Sequence, residues 1–340
     1  MGMPEIFISF KAKAQNFIRQ NARGIVCVLV KETANTGVTH CTSETEIPSN
    51  LTEANKAFIK SAFIGGYNRP SKVVIVAYSD ILKVGSTLET LKFNYLCTNV
   101  TTDTEQIATI VKDMRDLKNL KVKAVLYNTK GNHEGIINFT DAAKGIEYTS
   151  RVASILATTP LDKSSTYFVL NDLTVEDIPM LSKADMDKKV DNGELFVVND
   201  GEKCKLSRAV NSLTAVTDIK TEDFKSIKII DIMDKIDTDI RTTVADNYVG
   251  VGNSYDNKMN LVVAIKQYLE DLNKQGIVGD FNVDLDMEEQ IKYIKTLGAK
   301  IDEMTETEIK HYNTRKKVFM KINVQLLDAM EDFYFSINLM

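Results

Sequence analysis

Asp280, Asn282, Asp284 and Asp286 place oxygen-bearing side chains at every second position of GDFNVDLDMEE, a spacing that could hold a calcium ion. A loop of the EF-hand type, counted from Asp280, needs glycine at its sixth position and a bidentate glutamate at its twelfth; Leu285 and Ile291 stand there. Phe281, Val283, Leu285 and Met287 alternate with the acids, which predicts a strand with one wet acidic face instead. His40, His133 and His311 lie far apart, none in an HExxH pattern or beside a nucleophile, so surface or loop positions are expected for them. There is no GxSxG elbow and no GxxxxGK[ST] loop. In VGVGNS (249–254), Gly250 and Gly252 are followed by Tyr255 where a dinucleotide fingerprint requires its third glycine, and a helical pattern precedes the stretch. Cys27, Cys41, Cys97 and Cys204 are scattered without a CxxC pair, so no zinc site is expected. Asp231, Asp234, Asp237 and Asp239 follow a helical pattern and read as its solvated face. No catalytic, cofactor-binding or metal-ligating set emerges. A hydrolase built on Ser165 or His133 would be the nearest enzyme, and no spacing supports it.

The elements that would position any site are clearer. A chain of 340 residues suggests two or three domains. The formal charge of −5 leaves no basic excess for neutralising phosphates, which argues against nucleic acid as a partner. No apolar run reaches the length that spans a bilayer and no secretory pattern opens the chain, so a soluble product of the cytoplasm is expected. IVCVLV (25–30), VVIVAY (73–78) and VKAVLYN (122–128) read as buried strands. Helices are predicted over 52–64, stopped by Gly65-Gly66, and after a capping box of Thr102 and Glu105, with Ile107, Ile110, Val111 and Met114 on one face. A hairpin is predicted around Asp200-Gly201, and two amphipathic helices over 227–248 and 257–274, the second closed by Gly276. Strand, helix, strand in this order predicts a layered α/β domain with some parallel pairing. Both ends of the chain carry strand periodicity. Ile6, Ile8 and Phe10 alternate with Phe7 and Ser9; Val318, Met320, Ile322 and Val324 form a second run; Phe333, Phe335, Ile337 and Leu339 form a third. Such strands either complete a sheet in their own domain, as in a small binding module, or add to an open sheet edge of a neighbouring chain.

PEIFISFKAKAQNFIRQNARGIVCVLVKE (4–32) is similar to the opening arm and RGIVA step of one family, the contractile-tail sheath proteins of myophages and defective prophages of Gram-positive bacteria, and further separated stretches resemble the same family. EYTSRVASILATTPLDKSSTYFVL (147–170) resembles its small-residue helix and S-x-TY step, and GELFVVNDGEKCKLSRAVNSLT (193–214) its GE-hairpin-RxVNSL stretch. DTDIRTTVADNYVGVGNSYDNKMNLVVAIKQYLEDLNKQGIV (237–278) resembles its C-terminal domain, although relatives often carry a lysine after YxG where this chain has VGVGNS.

The resemblance implies an α/β (α+β) multi-domain architecture. It would comprise an N-terminal arm (1–22), an N-terminal α/β domain (23–95), a subtilisin-like α/β middle domain without a working protease triad (96–225), a C-terminal α+β domain (226–317) and a C-terminal strand arm (318–340). It implies a structural protein without enzymatic activity or cofactor, made in the bacterial cytoplasm and built into a phage tail or phage-tail-like particle. Its partners would be other copies of itself in stacked six-fold rings, the inner tail tube protein, and baseplate and tail terminator proteins, with no nucleic acid and no insertion into a membrane. Shortening of the sleeve would drive the tube through an envelope. Ile6, Phe7, Ile8 and Phe10 in one arm, and Val318, Met320, Ile322, Val324, Phe333, Phe335 and Ile337 in the other, are then the expected intersubunit contacts.

Overall fold

The structure is a computed structural model that describes residues 18–20, 23–141 and 143–339. These fall into two compact units, one over 23–236 with 326–339, the other over 18–20 with 237–325.

The larger unit is built on a seven-stranded sheet. Its strands are β1 (Ile25–Lys31), β2 (Gly37–Cys41), β3 (Lys72–Tyr78), β4 (Tyr95–Thr98), β5 (Lys123–Tyr127), β6 (Ile136–Phe139) and β7 (Glu194–Leu195), in the order β2-β3-β1-β4-β5-β6-β7. Every adjacent pair is parallel except β2 with β3. Parallel strands are covered on both faces, so they read as unbroken apolar runs rather than alternating ones. Val26, Val28 and Val30 of β1 join one core with helices α1 (Glu53–Ala62) and α4 (Thr149–Thr158). Cys27 and Leu29 join the opposite core with α2 (Val84–Glu89) and α3 (Thr104–Asp116). After α1 the chain reverses at Gly65, φ +75°, where a Cβ would collide with the Asn68 carbonyl. α5 (Lys183–Asp191) precedes β7, and β8 (Val197–Asn199) and β9 (Cys204–Leu206) form the expected hairpin, with Gly201 at φ +92° in its turn.

The layered α/β class is thus as the periodicity indicated, with two differences of detail. The boundary expected between residues 95 and 96 falls inside β4, whose partners β1 and β5 come from either side of it, so one continuous ladder spans both segments. The capping box of Thr102 and Glu105 does not form: Thr102 donates to the Asp103 carboxylate (2.8 Å), which also accepts from Tyr78 Oη (2.8 Å) and Lys31 Nζ (3.2 Å), and the helix starts at Thr104.

Helix α6 (Ile227–Asn247) contributes its first residues to this unit and the remainder to the other. Three of its four acids, Asp231, Asp234 and Asp239, overturn the reading of a solvated face, while Asp237 stays on that face, paired with the exposed Arg241 (2.7 Å). Asp231 and Asp234 are buried and meet cations at the N-terminal ends of the parallel strands. Asp234 accepts both Nη1 and Nη2 of Arg115 at 2.9 Å and the Lys123 ammonium; Asp231 accepts from Lys123 (2.9 Å), Arg23 (2.7 Å) and Tyr95 Oη (2.9 Å). Burial alone would raise the Asp234 carboxyl, but Lys123 and Arg115 outweigh it and hold it at about 2.

In the smaller unit α7 (Tyr255–Lys274) packs on β10 (Val278–Leu285), and the rest of α6 meets α7. Asp239 is buried there and accepts from Tyr268 Oη at 2.9 Å. Ser254 caps α7, and Gly276 at φ +71° reverses the chain into β10. α8 (Met287–Thr296) and α9 (Glu306–His311) follow, then β11 (Met320–Leu326), which pairs with β10 in a two-stranded sheet. Val283 and Leu285 of β10 face inward while Asp280, Asn282 and Asp284 are exposed, the wet acidic face read from the alternation. Asp286 instead caps α8, accepting the Glu289 amide.

Candidate interaction surface

The two C-terminal runs, alike in periodicity, take different structures. Met320, Ile322 and Val324 lie in β11 with their side chains half buried, between exposed Lys321, Asn323 and Gln325; Val318 is exposed just before the strand. Ladder pairing with β10 fixes this first run, and Asp286 N–H donates to the Phe319 carbonyl at its start (3.0 Å). The sheet has two strands, so among the described residues the outer edges of both β10 and β11 carry no neighbour.

The second run does not form the expected strand. Residues 327–339 carry no regular structure, and Phe333 is 61% exposed, Tyr334 95%, Phe335 83%, Ile337 83% and Leu339 96%. Phe333 and Phe335 stack on each other with centroids 6.1 Å apart. A strand is stable only with a partner ladder and a covered face, and this segment has neither within the described residues of its own chain.

Between the runs lies LDAMED, an acidic interruption to which the sequence reading assigned no role. The structure ties it to the larger unit. Asp328 Oδ1 accepts from Ser226 Oγ (3.2 Å), and Glu331 Oε1 accepts from Ser164 Oγ (3.1 Å) and Thr166 Oγ1 (2.6 Å). Arg208 reaches Glu331 Oε2 through Nε (3.1 Å) and Asp332 Oδ1 through Nη2 (2.5 Å). Arg208 and Asn211 belong to the RAVNSL stretch, and the Asn211 amide holds the Phe224 carbonyl (2.6 Å). A basic residue after the hairpin and acids between two apolar runs were the available signals; their pairing was not legible without the tertiary arrangement.

The four residues expected in the other arm, Ile6, Phe7, Ile8 and Phe10, lie outside the described residues.

The groups capable of chemistry are placed unfavourably for it. His133 lies in the loop between β5 and β6, one of the positions expected for it, but it is buried rather than on the surface. Its Nδ1 accepts the Gly135 amide (2.9 Å) while Nε2 faces both Asp116 oxygens (3.2 Å), so the neutral ring carries its proton on Nε2. Burial lowers its pKa below the ordinary 6.5, against the pull of Glu134 and Asp116. A base whose Nδ1 lone pair is taken by the backbone and whose Nε2 is turned to a carboxylate activates no hydroxyl. Ser165 is itself buried.

Asp116, His133 and Glu134 are the one trio among the described residues with ligand atoms close enough for a metal. The fit is poor. The Nε2 lone pair that would ligate is protonated in this hydrogen-bonding pattern, and Lys220 (2.8 Å) with Arg115 (3.9 Å) already neutralises Glu134. All four cysteines are buried free thiols. No described helix is long and apolar enough to cross a membrane.

Comparison with known proteins agrees with this arrangement. Residues 76–212 match the model of the phage tail sheath protein central domain, and 219–340 that of the phage tail sheath C-terminal domain. The tail sheath protein of Clostridium phage phiCD119 is 39% identical over 350 aligned positions, covering 97% of this chain and 98% of that one. Among solved structures, the sheath tail protein of Desulfitobacterium hafniense superposes with a TM-score of 0.66 at 15% identity, over 83% of this chain and 94% of that one. The sheath complex of an extracellular contractile injection system in its contracted state gives 0.68 at 11% identity, over 99% and 98%.

Proposed function

This chain belongs to the phage tail sheath family, and we propose that it polymerises into a contractile sleeve whose subunits are linked by exchanged terminal strands. The observation that carries the reading is the run Phe333–Leu339, apolar, strand-patterned and exposed, in a chain whose two-stranded β10–β11 sheet has open edges among the described residues. Strand addition supplies backbone ladder bonds for affinity and alternate side chains for register. Phe333, Phe335 and Ile337 of one copy cover apolar side chains on the C-terminal unit of another, where Met320, Ile322 and Val324 are only half buried. Val318 lies at the entrance to that sheet, and Ile6, Phe7, Ile8 and Phe10 make the corresponding link from the other end.

A head-to-tail contact whose rotation does not close generates a helix, and six such links per ring give stacked rings around an inner tube. Arms joined by short extended segments tolerate rigid-body rotation of the subunits, so the mesh survives while lateral contacts change. A solved relative captured in a contracted state supports shortening as the working stroke. The sleeve stores its energy in the extended state behind a kinetic barrier, so the subunit needs neither an enzymatic site nor a cofactor. Its partners are further copies, the inner tube protein, and baseplate and terminator proteins of a phage tail or tail-like particle assembled in the bacterial cytoplasm.

Negative-stain electron microscopy of the full chain, alone and co-expressed with the neighbouring tube protein, tests this. Hollow tubes or stacked rings with six-fold end views are expected; a uniform monomer in both preparations would contradict polymerisation.

A further inference from the structure

Resting on the strand-exchange reading, we propose that Arg208 is a positioning residue: with the acidic tether Asp328–Asp332 it forms a latch fixing where the arm leaves the body, so the donated segment begins at Phe333 rather than at Val318. Five polar contacts converge on the tether: Ser226 on Asp328, Ser164 and Thr166 on Glu331, and Arg208 on both Glu331 and Asp332. Lys228 adds positive charge facing Asp328 and Glu331, with Asp162 beside it.

The receiving side is held by backbone bonds that do not involve the tether. Tyr167 N–H donates to the Leu206 carbonyl (3.1 Å), Leu206 N–H to the Phe168 carbonyl (3.0 Å) and Leu170 N–H to the Cys204 carbonyl (2.8 Å), which lays 167–170 along β9. Thr166 Oγ1 also accepts the Ala209 amide at 2.9 Å, so the hydroxyl that grips Glu331 and the backbone beside Arg208 form one platform. Past Asp332 these contacts stop and the aromatic run begins, more than half exposed at each apolar position.

A single exposed ion pair contributes little. The guanidinium fork, however, engages Glu331 through Nε and Asp332 through Nη2 at once, which a lysine cannot reproduce. The latch therefore keeps the arm from sliding along its own chain and presents the same segment, from Phe333 onward, to each acceptor.

Nitrogen-15 relaxation on the soluble full chain reads the latch before any assembly. Arg208→Glu is expected to lower the backbone order parameters of 328–332 to below about 0.6 while leaving β1 near roughly 0.85. The triple reversal Arg208→Glu, Glu331→Arg, Asp332→Arg should restore the ordered values, and Arg208→Lys should restore them only in part. Raising salt from about 0.1 to 1 M, which shortens screening from roughly 10 to 3 Å, should loosen the parent tether and leave the Arg208→Glu tether unchanged. Unchanged order parameters in Arg208→Glu, or a reversal that fails to restore them, overturn the latch. If the order parameters respond as stated but no preparation assembles, the latch stands and the strand-exchange reading fails.

Discussion

Removal of residues 333–340 is expected to abolish tubes and leave a folded, soluble chain. The side chains of the described residues 333–339 are exposed in the isolated subunit, so its own stability should change by less than about 0.5 kcal/mol. In the polymer the same residues count heavily. Burying Phe333, Phe335, Ile337 and Leu339 at roughly 1.5–3 kcal/mol each gives on the order of 10 kcal/mol gross per link. Ordering the arm offsets most or all of that, so the net per link rests on the backbone ladder bonds that strand addition supplies as well. Each link is weak by itself, but every subunit makes one and the links act together, so losing all of them should remove the assembly rather than weaken it. Circular dichroism and thermal melting report the fold, and electron microscopy the tubes. Truncated chains that still form long tubes would place the essential contact elsewhere.

The second large effect lies far from the arm. Asp234→Ala is expected to destabilise the larger unit by about 3–5 kcal/mol, because it leaves Lys123 and Arg115 buried without their main counter-charge. At about 2–4 °C per kcal/mol for a domain of this size, the midpoint should fall by roughly 6–20 °C. Acid should act through the same group. The Asp234 carboxyl sits at about 2 in the folded chain against an ordinary value of 3.8, so above 3.8 its contribution is fully present. As pH falls from 3.8 toward 2 the unfolded chain takes up the proton first and the contribution is lost. Calorimetry of the parent and Asp234→Ala across this window should show the two converging; a constant gap would mean the carboxylate is not the source.

That ion cluster shows where sequence reading stops. Apolar periodicity found β1, β3, β5, α6 and α7 with ends displaced by at most two residues, because burial imposes a period on each element separately. The short strands β4, β6 and β7 are too brief to show a period and are fixed by ladders to their neighbours. Asp231 and Asp234 at helical spacing read as solvated because their partners Arg23, Lys123 and Arg115 come from three distant elements that only the sheet order brings together. The terminal runs show the converse. Val318–Val324 and Phe333–Leu339 share one pattern, yet one finds β10 and the other finds no ladder among the described residues. Pattern records what a segment can pair with, and the presence of a partner decides whether it does. Arg208 and the acids of LDAMED carried charge signals, but a surface charge acquires a role only from the group it faces.

The most direct test of strand exchange places a photoreactive amino acid at Phe335 in assembled tubes and maps the cross-links by mass spectrometry, with the two copies distinguished by isotope label. The account predicts adducts between differently labelled chains, falling in β10 or β11 of the acceptor, at residues 278–285 or 320–326. Adducts confined to single chains, in tubes that are otherwise well formed, would contradict it.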